Sequence, residues 1–366
     1  MTKRIRFVMV GGFLGAGKTT AIARLTRHWT SQGLRVGLVT NDQAYGLVDT
    51  EALRAQGFQV GEVTGACFCC KFNDLVATVE GLSADGQPDV VIAEPVGSCT
   101  DLAATVVEPL RSLHGDEYEI APLAVLLKPE HGRKILSNQP GLGFSPKAAY
   151  IFLKQLEEAD LIVLNKIDRL EADRREELLG QVRERYPSKE VLSVSARNGE
   201  GFEALTAALG RPSSRSPTPD VDYDIYAAGE AELGWLNCHV TVARDEPFPL
   251  DDLALDFVGR IARACGRVSA EPAHLKVLAA SDEATAIANL VSSDSQVELS
   301  LASGATVNAA ELTVNARVAI APELLSELVQ TNIQSLGAQY QMLCRVNNLQ
   351  SFRPGRPVPT HRMAIE

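Results

Sequence analysis

The residues of this chain best suited to chemistry begin at Gly11–Thr20, Gly-Gly-Phe-Leu-Gly-Ala-Gly-Lys-Thr-Thr. Gly12, Gly17, Lys18 and Thr19 have phosphate-loop spacing, two glycines five apart followed by Lys and a hydroxyl residue. Glycines let successive backbone N–H groups curl round a phosphate, Lys18 would neutralise the outer oxygens, and the Thr19 hydroxyl can ligate Mg²⁺. Gly12, Gly15, Ala16, Gly17, Lys18, Thr19 and Thr20 are therefore the expected contacts of a nucleoside triphosphate. Asn165-Lys166-Ile167-Asp168 follows an apolar run. A carboxylate at Asp168 can accept from N1–H and the 2-amino group of guanine, donors that adenine does not offer on that edge. Asn165 would hold the purine's other edge and the loop itself, and the Lys166 stem would cover the ring face. Ser195-Ala196-Arg197 has the form of a loop whose N–H meets the 6-oxo group. Polar matching of this kind separates bases by orders of magnitude, so GTP is expected over ATP.

Cys67-Phe68-Cys69-Cys70 is a third group. Three thiolates within four residues can meet one soft or borderline ion such as Zn²⁺, or Co²⁺ or Fe²⁺, only if the backbone turns. Three ligands leave a position open, and Lys71 next door is expected to favour thiolates. A redox pair or reduced, partly buried thiols without function are the competing readings. Glu94 with Pro95-Val96-Gly97 after it suits a carboxylate for Mg²⁺ or the attacking water, and a Gly whose N–H senses the γ-phosphate. Asn41–Asp49 reads as a first nucleotide-sensing switch, with Asp42 and Asp49 each able to reach the magnesium shell or the exchanged metal. Lys18, Glu94 and Asp42 are the expected catalytic residues, Thr19 and Glu94 the Mg²⁺ ligands. No residue is assignable as general base. Cys99, Cys265 and Cys344 read as small core residues.

These residues need elements to hold them. Ile5–Val10 is an apolar run, and Thr19–Gln32 reads as a helix with Ile22, Leu25 and Trp29 at helical spacing. Leu34–Thr40, Asp89–Ala93, Ile120–Leu127, Leu161–Leu164 and Val191–Val194 read as strands, with helices over Leu102–Leu113, Pro146–Glu158 and Arg169–Tyr186. That alternation predicts a parallel sheet covered on both faces, with ligand chemistry at its carboxyl edge. The proline-rich run Arg211–Asp220 is the expected linker. Strands near Leu236–Ala243, Leu275–Ala279, Gln296–Leu301 and Glu311–Ile320 follow, with a helix over Asp251–Cys265 and a long one from Pro322 to about Val346. The expected fold is α/β: a P-loop GTPase domain over 1–210, a linker 211–221, a smaller α+β domain 222–348, and an extended or disordered tail 349–366.

A length of 366 residues exceeds one ordinary core, and 45% hydrophobic with 22% charged residues is the balance of a folded protein. A net charge of −11 without a basic patch argues against nucleic-acid and anionic-membrane partners. The start is too short for a signal peptide and no apolar run reaches spanning length, so a cytoplasmic protein is expected. Seven cysteines, three of them packed together, suit a reducing compartment and a metal or redox role.

The phosphate loop, the Asn41–Asp49 switch, the Cys-x-Cys-Cys loop, the Glu-x-x-Gly turn and Asn-Lys-x-Asp occur in one fixed order. That order resembles the CobW-type metallochaperone GTPases, relatives of the GTPases that load metal into hydrogenase and urease, over roughly the first 210 residues. The resemblance implies Mg²⁺-dependent GTP hydrolysis coupled to delivery of a transition metal, with Cys67, Cys69 and Cys70 as ligands. It implies a client metalloprotein as partner, and a nucleotide-dependent homodimer is a further expectation. Ala66, Asp42 and Pro95 stand where the family usually carries Gly, Glu and Thr. A chaperone GTPase that gates an organic, corrinoid-like cofactor into its enzyme is the alternative.

Overall fold

Ile5–Gly12 is buried along nearly its whole length, as a strand covered on both faces must be. We label it β1, followed by β2 (Val36–Asp42), β3 (Val60–Thr64), β4 (Val90–Glu94), β5 (Tyr118–Ile120), β6 (Ala124–Leu127), β7 (Leu161–Leu164) and β8 (Glu190–Ser193). In this computed structural model, which describes residues 3–43, 47–84, 86–136, 145–214, 218–293 and 295–365, these strands form a parallel sheet. Its order is β3-β2-β4-β1-β6-β7-β8, with β5 also beside β1. The chain moves outward from β1 to β2 and β3, returns to β4, then crosses to β6. The crevice at the carboxyl end of β1 is thus a topological switch point, where open α/β sheets bind ligands. Pairing sets the functional strand ends level: Thr40 lies opposite Glu94, Asp42 opposite Thr64, and Leu164, just before Asn165, opposite both Leu127 and Ser193.

The second sheet is antiparallel. Its strands are β9 (Gly234–Pro249), β10 (Pro272–Ala280), β11 (Thr285–Leu290), β12 (Glu298–Leu301), β13 (Thr306–Val318) and β14 (Leu343–Phe352), in the order β12-β11-β10-β13-β9-β14. Alternation along β9 buries Leu236, Cys238, Val240 and Val242, and the helices Leu250–Arg267 and Pro322–Tyr340 add their apolar stripes to the same core. A short helix, Val48–Arg54, joins a smaller cluster of Val48, Ala52, Leu278 and Ile287. Asn315 Oδ1 accepts from the Val48 N–H at 2.8 Å, and Lys276 pairs with Asp49.

The two compact units do not follow chain order. One comprises residues 1–43, 57–229 and 356–366, the other 44–56 and 230–355. The stretch expected to be a linker stays with the first unit, because the Ser213 N–H donates to Ile120 O at 2.8 Å and Tyr226 is fully buried there. Ala44, Tyr45 and Gly46 of the expected switch, and Arg215, Ser216 and Pro217 of the expected linker, lie outside the described residues. The last helix ends at Tyr340 rather than near Val346: Gln341 is left-handed at φ 51°, and Leu343 opens β14. Of the expected tail, Leu349–Phe352 belongs to β14 and residues 353–365 carry no helix or strand, with prolines 354, 357 and 359 restricting the backbone there. Among the described residues no helix is long and apolar enough to cross a membrane.

Candidate nucleotide site and thiol cluster

Gly12 closes β1 at φ 130°, and a Cβ there would lie 2.2 Å from Leu126 O, so no side chain fits. Gly17 sits at φ 91° with its would-be Cβ 2.5 Å from Asn165 Nδ2. Between them the chain loops through Gly15 and Ala16 into the helix Lys18–Ser31, whose first-turn N–H groups face the crevice end of β1. Lys18 is buried, its Nζ donating to Gly12 O at 2.9 Å, and Thr20 is exposed. The Thr19 hydroxyl donates to Glu94 Oε1 at 3.1 Å, so two hard oxygen donors meet at the end of β4. Asp42 is buried two residues beyond Thr40, the strand partner of Glu94. Gly97 lies against this group, and a Cβ on it would be 3.1 Å from Lys18 Nζ. Asp49 belongs to the other compact unit, where it pairs with Lys276.

At the other side of the loop, Asn165 is fully buried and spends both ends of its amide on backbone. Its Nδ2 donates to Ala16 O at 2.8 Å, and its Oδ1 accepts from the Ala196 N–H at 3.0 Å. Lys166 adopts φ 63°, uncommon for a non-glycine residue, and this turns the chain so that Asp168 stands exposed. The Ser195 hydroxyl donates to Asp168 Oδ1 at 2.6 Å and accepts from the Asn198 N–H. Arg24, absent from the sequence reading, fastens the same loop by donating to Ala196 O and Arg197 O, both at 2.8 Å.

The cysteine loop is anchored by a residue the sequence reading placed only in the switch. Asn41 Nδ2 donates to Val63 O at 2.9 Å and Ala66 O at 2.8 Å, and its Oδ1 accepts from the Phe68 N–H at 2.8 Å. The Cys70 and Lys71 N–H groups both reach Cys67 O at 3.0 Å, closing the turn that brings the thiols together. Sulfur separations are 2.8 Å for Cys67–Cys69, 3.3 Å for Cys67–Cys70 and 3.7 Å for Cys69–Cys70. A tetrahedron built on zinc–sulfur bonds of about 2.3 Å has edges of about 3.8 Å, so the set fits a metal once the Cys67 sulfur moves about 1 Å from Cys69 and about 0.5 Å from Cys70. Hydrogen bonding with Cys69, Cys70 and Cys99 lowers the Cys67 thiol well below its usual value. Its partnership with Cys67 raises Cys69 strongly and pushes Cys70 up to about 11. Lys71, next in the chain, pairs with Asp74 at 3.0 Å.

The tail also meets this loop. The Thr360 N–H donates to Cys69 O at 2.8 Å, the Thr360 hydroxyl donates to Cys70 O at 3.0 Å, and the Val358 N–H points at Cys70 Sγ from 3.3 Å. His361 sets its ring edge-on to Phe72 at 5.0 Å. Arg362 pairs with Asp101 at 2.8 Å, and burial raises the Asp101 carboxyl above its usual range.

Residues 6–193, just over half of the chain, match the family described as CobW/HypB/UreG, nucleotide-binding domain. The chain is 29% identical over 226 residues to a zinc chaperone CobW of Sinorhizobium sp, covering 57% of this chain and 63% of that one. It is 32% identical over 169 residues to the zinc chaperone YeiR of Escherichia coli strain K12, covering 44% of this chain and 46% of that one. It thus spans less than two thirds of the length of either relative. Among solved structures, Zn(II)-bound YjiA GTPase from E. coli aligns with a TM-score of 0.38 at 14% identity, over 90% of this chain and 98% of that one.

Proposed function

The chain belongs to the CobW/HypB/UreG nucleotide-binding family, and from that premise we propose that it hydrolyses GTP and uses the cycle to bind a transition metal at Cys67, Cys69 and Cys70 and pass it to a client protein. One observation carries this reading. Asn41, next to Asp42 at the end of β2, grips the end of β3 by one hydrogen bond and the cysteine loop by two. Any shift of that strand end on nucleotide exchange is therefore transmitted to the thiols through a single side chain.

Triphosphate oxygens would lie against the N–H groups of Gly12 to Thr20, with Lys18 turning from Gly12 O to the outer phosphates. Thr19 and Glu94 are the oxygen donors fitted to Mg²⁺, which when bound neutralises charge between the outer phosphates. Asp168 would accept from guanine, with Ser195 holding the carboxylate in place and Ala196 closing the loop. Thiolate donors suit Zn²⁺, and two relatives bear zinc in their names.

The test titrates Zn²⁺ or Co²⁺ into the full chain loaded with GDP and with a non-hydrolysable GTP analogue. The expected difference is roughly 5- to 150-fold, tighter with the analogue, and the metal should raise analogue affinity by the same factor. Identical metal affinity in both states would refute the coupling.

A further inference from the structure

Cys99 reads from sequence as a small core residue, but it lies at the thiol cluster. It is 1% exposed, and its side chain hydrogen-bonds with Cys67, as those of Cys69 and Cys70 do. Cys67, Cys69 and Cys70 form the group whose sulfurs all lie within 4.8 Å of one another, and Cys99 stands against Cys67 outside that group. Its position in the chain matters as much. Cys99 is two residues beyond Gly97, which abuts Lys18, and five beyond Glu94, which holds Thr19. The Cys99 N–H donates to Val96 O at 2.9 Å, making the turn tight. Gln155 Nε2 clamps the turn from the helix Pro146–Glu158, donating to Gly97 O at 3.1 Å and Cys99 O at 2.7 Å. The stretch Glu94–Cys99 thus runs from the phosphate-facing lysine to the sulfurs.

We propose that Cys99 is a fourth ligand of the metal site, added or withdrawn by the Glu94–Cys99 turn according to the nucleotide bound. The inference rests on the reading that Cys67, Cys69 and Cys70 hold the metal. With Cys99 bound, the site is a closed set of four thiolates; with Cys99 withdrawn, one position is open, the form suited to exchange. Release then balances simply: the metal–sulfur bond to Cys99 breaks, the freed thiolate takes a proton from solvent, and a donor atom of the client bonds the ion. No electron changes hands.

The test uses the full chain loaded with Co²⁺, in the GDP form and with a non-hydrolysable GTP analogue. X-ray absorption counts the sulfurs, and sulfur-to-cobalt charge-transfer bands follow the same count. The unmodified chain is expected to show four sulfurs in one nucleotide state and three in the other. Cys99→Ser and Cys99→Ala should show three in both, with the charge-transfer band of the four-sulfur state reduced by about a quarter. Three sulfurs in both states of the unmodified chain would overturn the proposal, and this arm needs no variant to fold. Four sulfurs retained in Cys99→Ser would overturn it equally. Failure of the underlying reading looks different: no cobalt–sulfur bands in the unmodified chain, or bands unaffected by Cys67→Ser, Cys69→Ser and Cys70→Ser.

Discussion

At the Asn165–Asp168 end of the first unit, three side chains tie loops together through short bonds. Asn165 joins Ala16 to Ala196, Ser195 holds Asp168, and Arg24 holds Ala196 and Arg197. At the cysteine end the loop hangs from Asn41 on one side and from backbone groups of Val358 and Thr360 on the other. The sulfurs there sit at unequal separations, from 2.8 to 3.7 Å. Interlocking side chains hold one end through bonds made before any ligand arrives, which suits the base discrimination by hydrogen bonding proposed for it. The other end has thiols already gathered but at unequal separations, which suits the uptake and release of an ion proposed for it. Under the proposed function, specificity would belong with the first arrangement and switching with the second.

The largest expected effect breaks the rigid end. Asp168→Asn should weaken GTP binding by roughly 10³- to 10⁴-fold and improve relative binding of xanthosine triphosphate, whose 2-oxo group accepts a hydrogen bond. Nucleotide titrations check it, and equal affinity of the unmodified chain for ATP and GTP would refute the assignment. Metal affinity in the nucleotide-free protein should not change, since the two ends are separately held. Next come the thiols: Cys67→Ser, Cys69→Ser and Cys70→Ser should each erase the roughly 5- to 150-fold dependence of Co²⁺ affinity on nucleotide state while leaving GTP-over-ATP preference intact. Loss of base preference in these variants would mean that the ends are not independent.

What could be read from the chain divides along the same line. Phosphate loop and Asn165–Asp168 are legible because their chemistry lies within a few consecutive residues and follows a strand each time. The parallel sheet is legible because buried runs alternate with amphipathic ones. The supports are not legible. Asn41 reaches Ala66, 25 residues on, and Arg24 reaches Ala196, 172 residues on, and only strand order brings such partners together. Cys99 carries no motif, so its thiol contact follows from the turn and not from spacing. The tail's hold on Cys69 and Cys70 runs largely through backbone groups, which any sequence has. Its prolines show extension but not destination. Val48–Arg54 begins at the end of the Asn41–Asp49 stretch that reads as a polar switch loop, and its apolar partners, Leu278 and Ile287, lie far along the chain.

A smaller effect sharpens the flexible end. Asn41→Ala leaves Val63 O, Ala66 O and the Phe68 N–H without their partner in a site where Asn41 is only 5% exposed. Unmade bonds at buried groups cost about 1–3 kcal/mol each, and partial relaxation should bring the net loss to about 2–4 kcal/mol. Denaturant unfolding of the metal-free chain measures it. Co²⁺ affinity should fall with it, while GTP affinity in the absence of metal stays within about twofold. A stable variant with unchanged Co²⁺ affinity would show that the tail alone positions the loop.

The smallest effect concerns protons at the same end. Glu158 is buried, accepting from the Thr100 hydroxyl at 3.1 Å and the Ala103 N–H at 2.9 Å, immediately after Cys99. Burial, aided by the nearby Asp101 charge and opposed by these hydrogen bonds, raises its carboxyl from 4.5 to about 8. Between those values the folded chain holds a proton that the unfolded chain has given up. Its stabilising effect is therefore complete below pH 4.5 and is lost as pH climbs through about 8. From pH 7 to pH 8 the loss should be about 1 kcal/mol. Glu158→Gln mimics the protonated acid, with Oε1 accepting from Ala103 and Nε2 donating to Thr100, so it should remove that part of the slope. Urea unfolding of both proteins in metal-free form at the two pH values isolates the difference, because every other titrating group is common to them. Equal slopes would mean that the Glu158 carboxylate is charged in the folded protein. If instead the slope disappears and GTP affinity stays level between pH 7 and 8, proton sensitivity belongs to Glu158 and its Thr100 and Ala103 partners and not to the Asn165–Asp168 and Ser195–Arg197 loops.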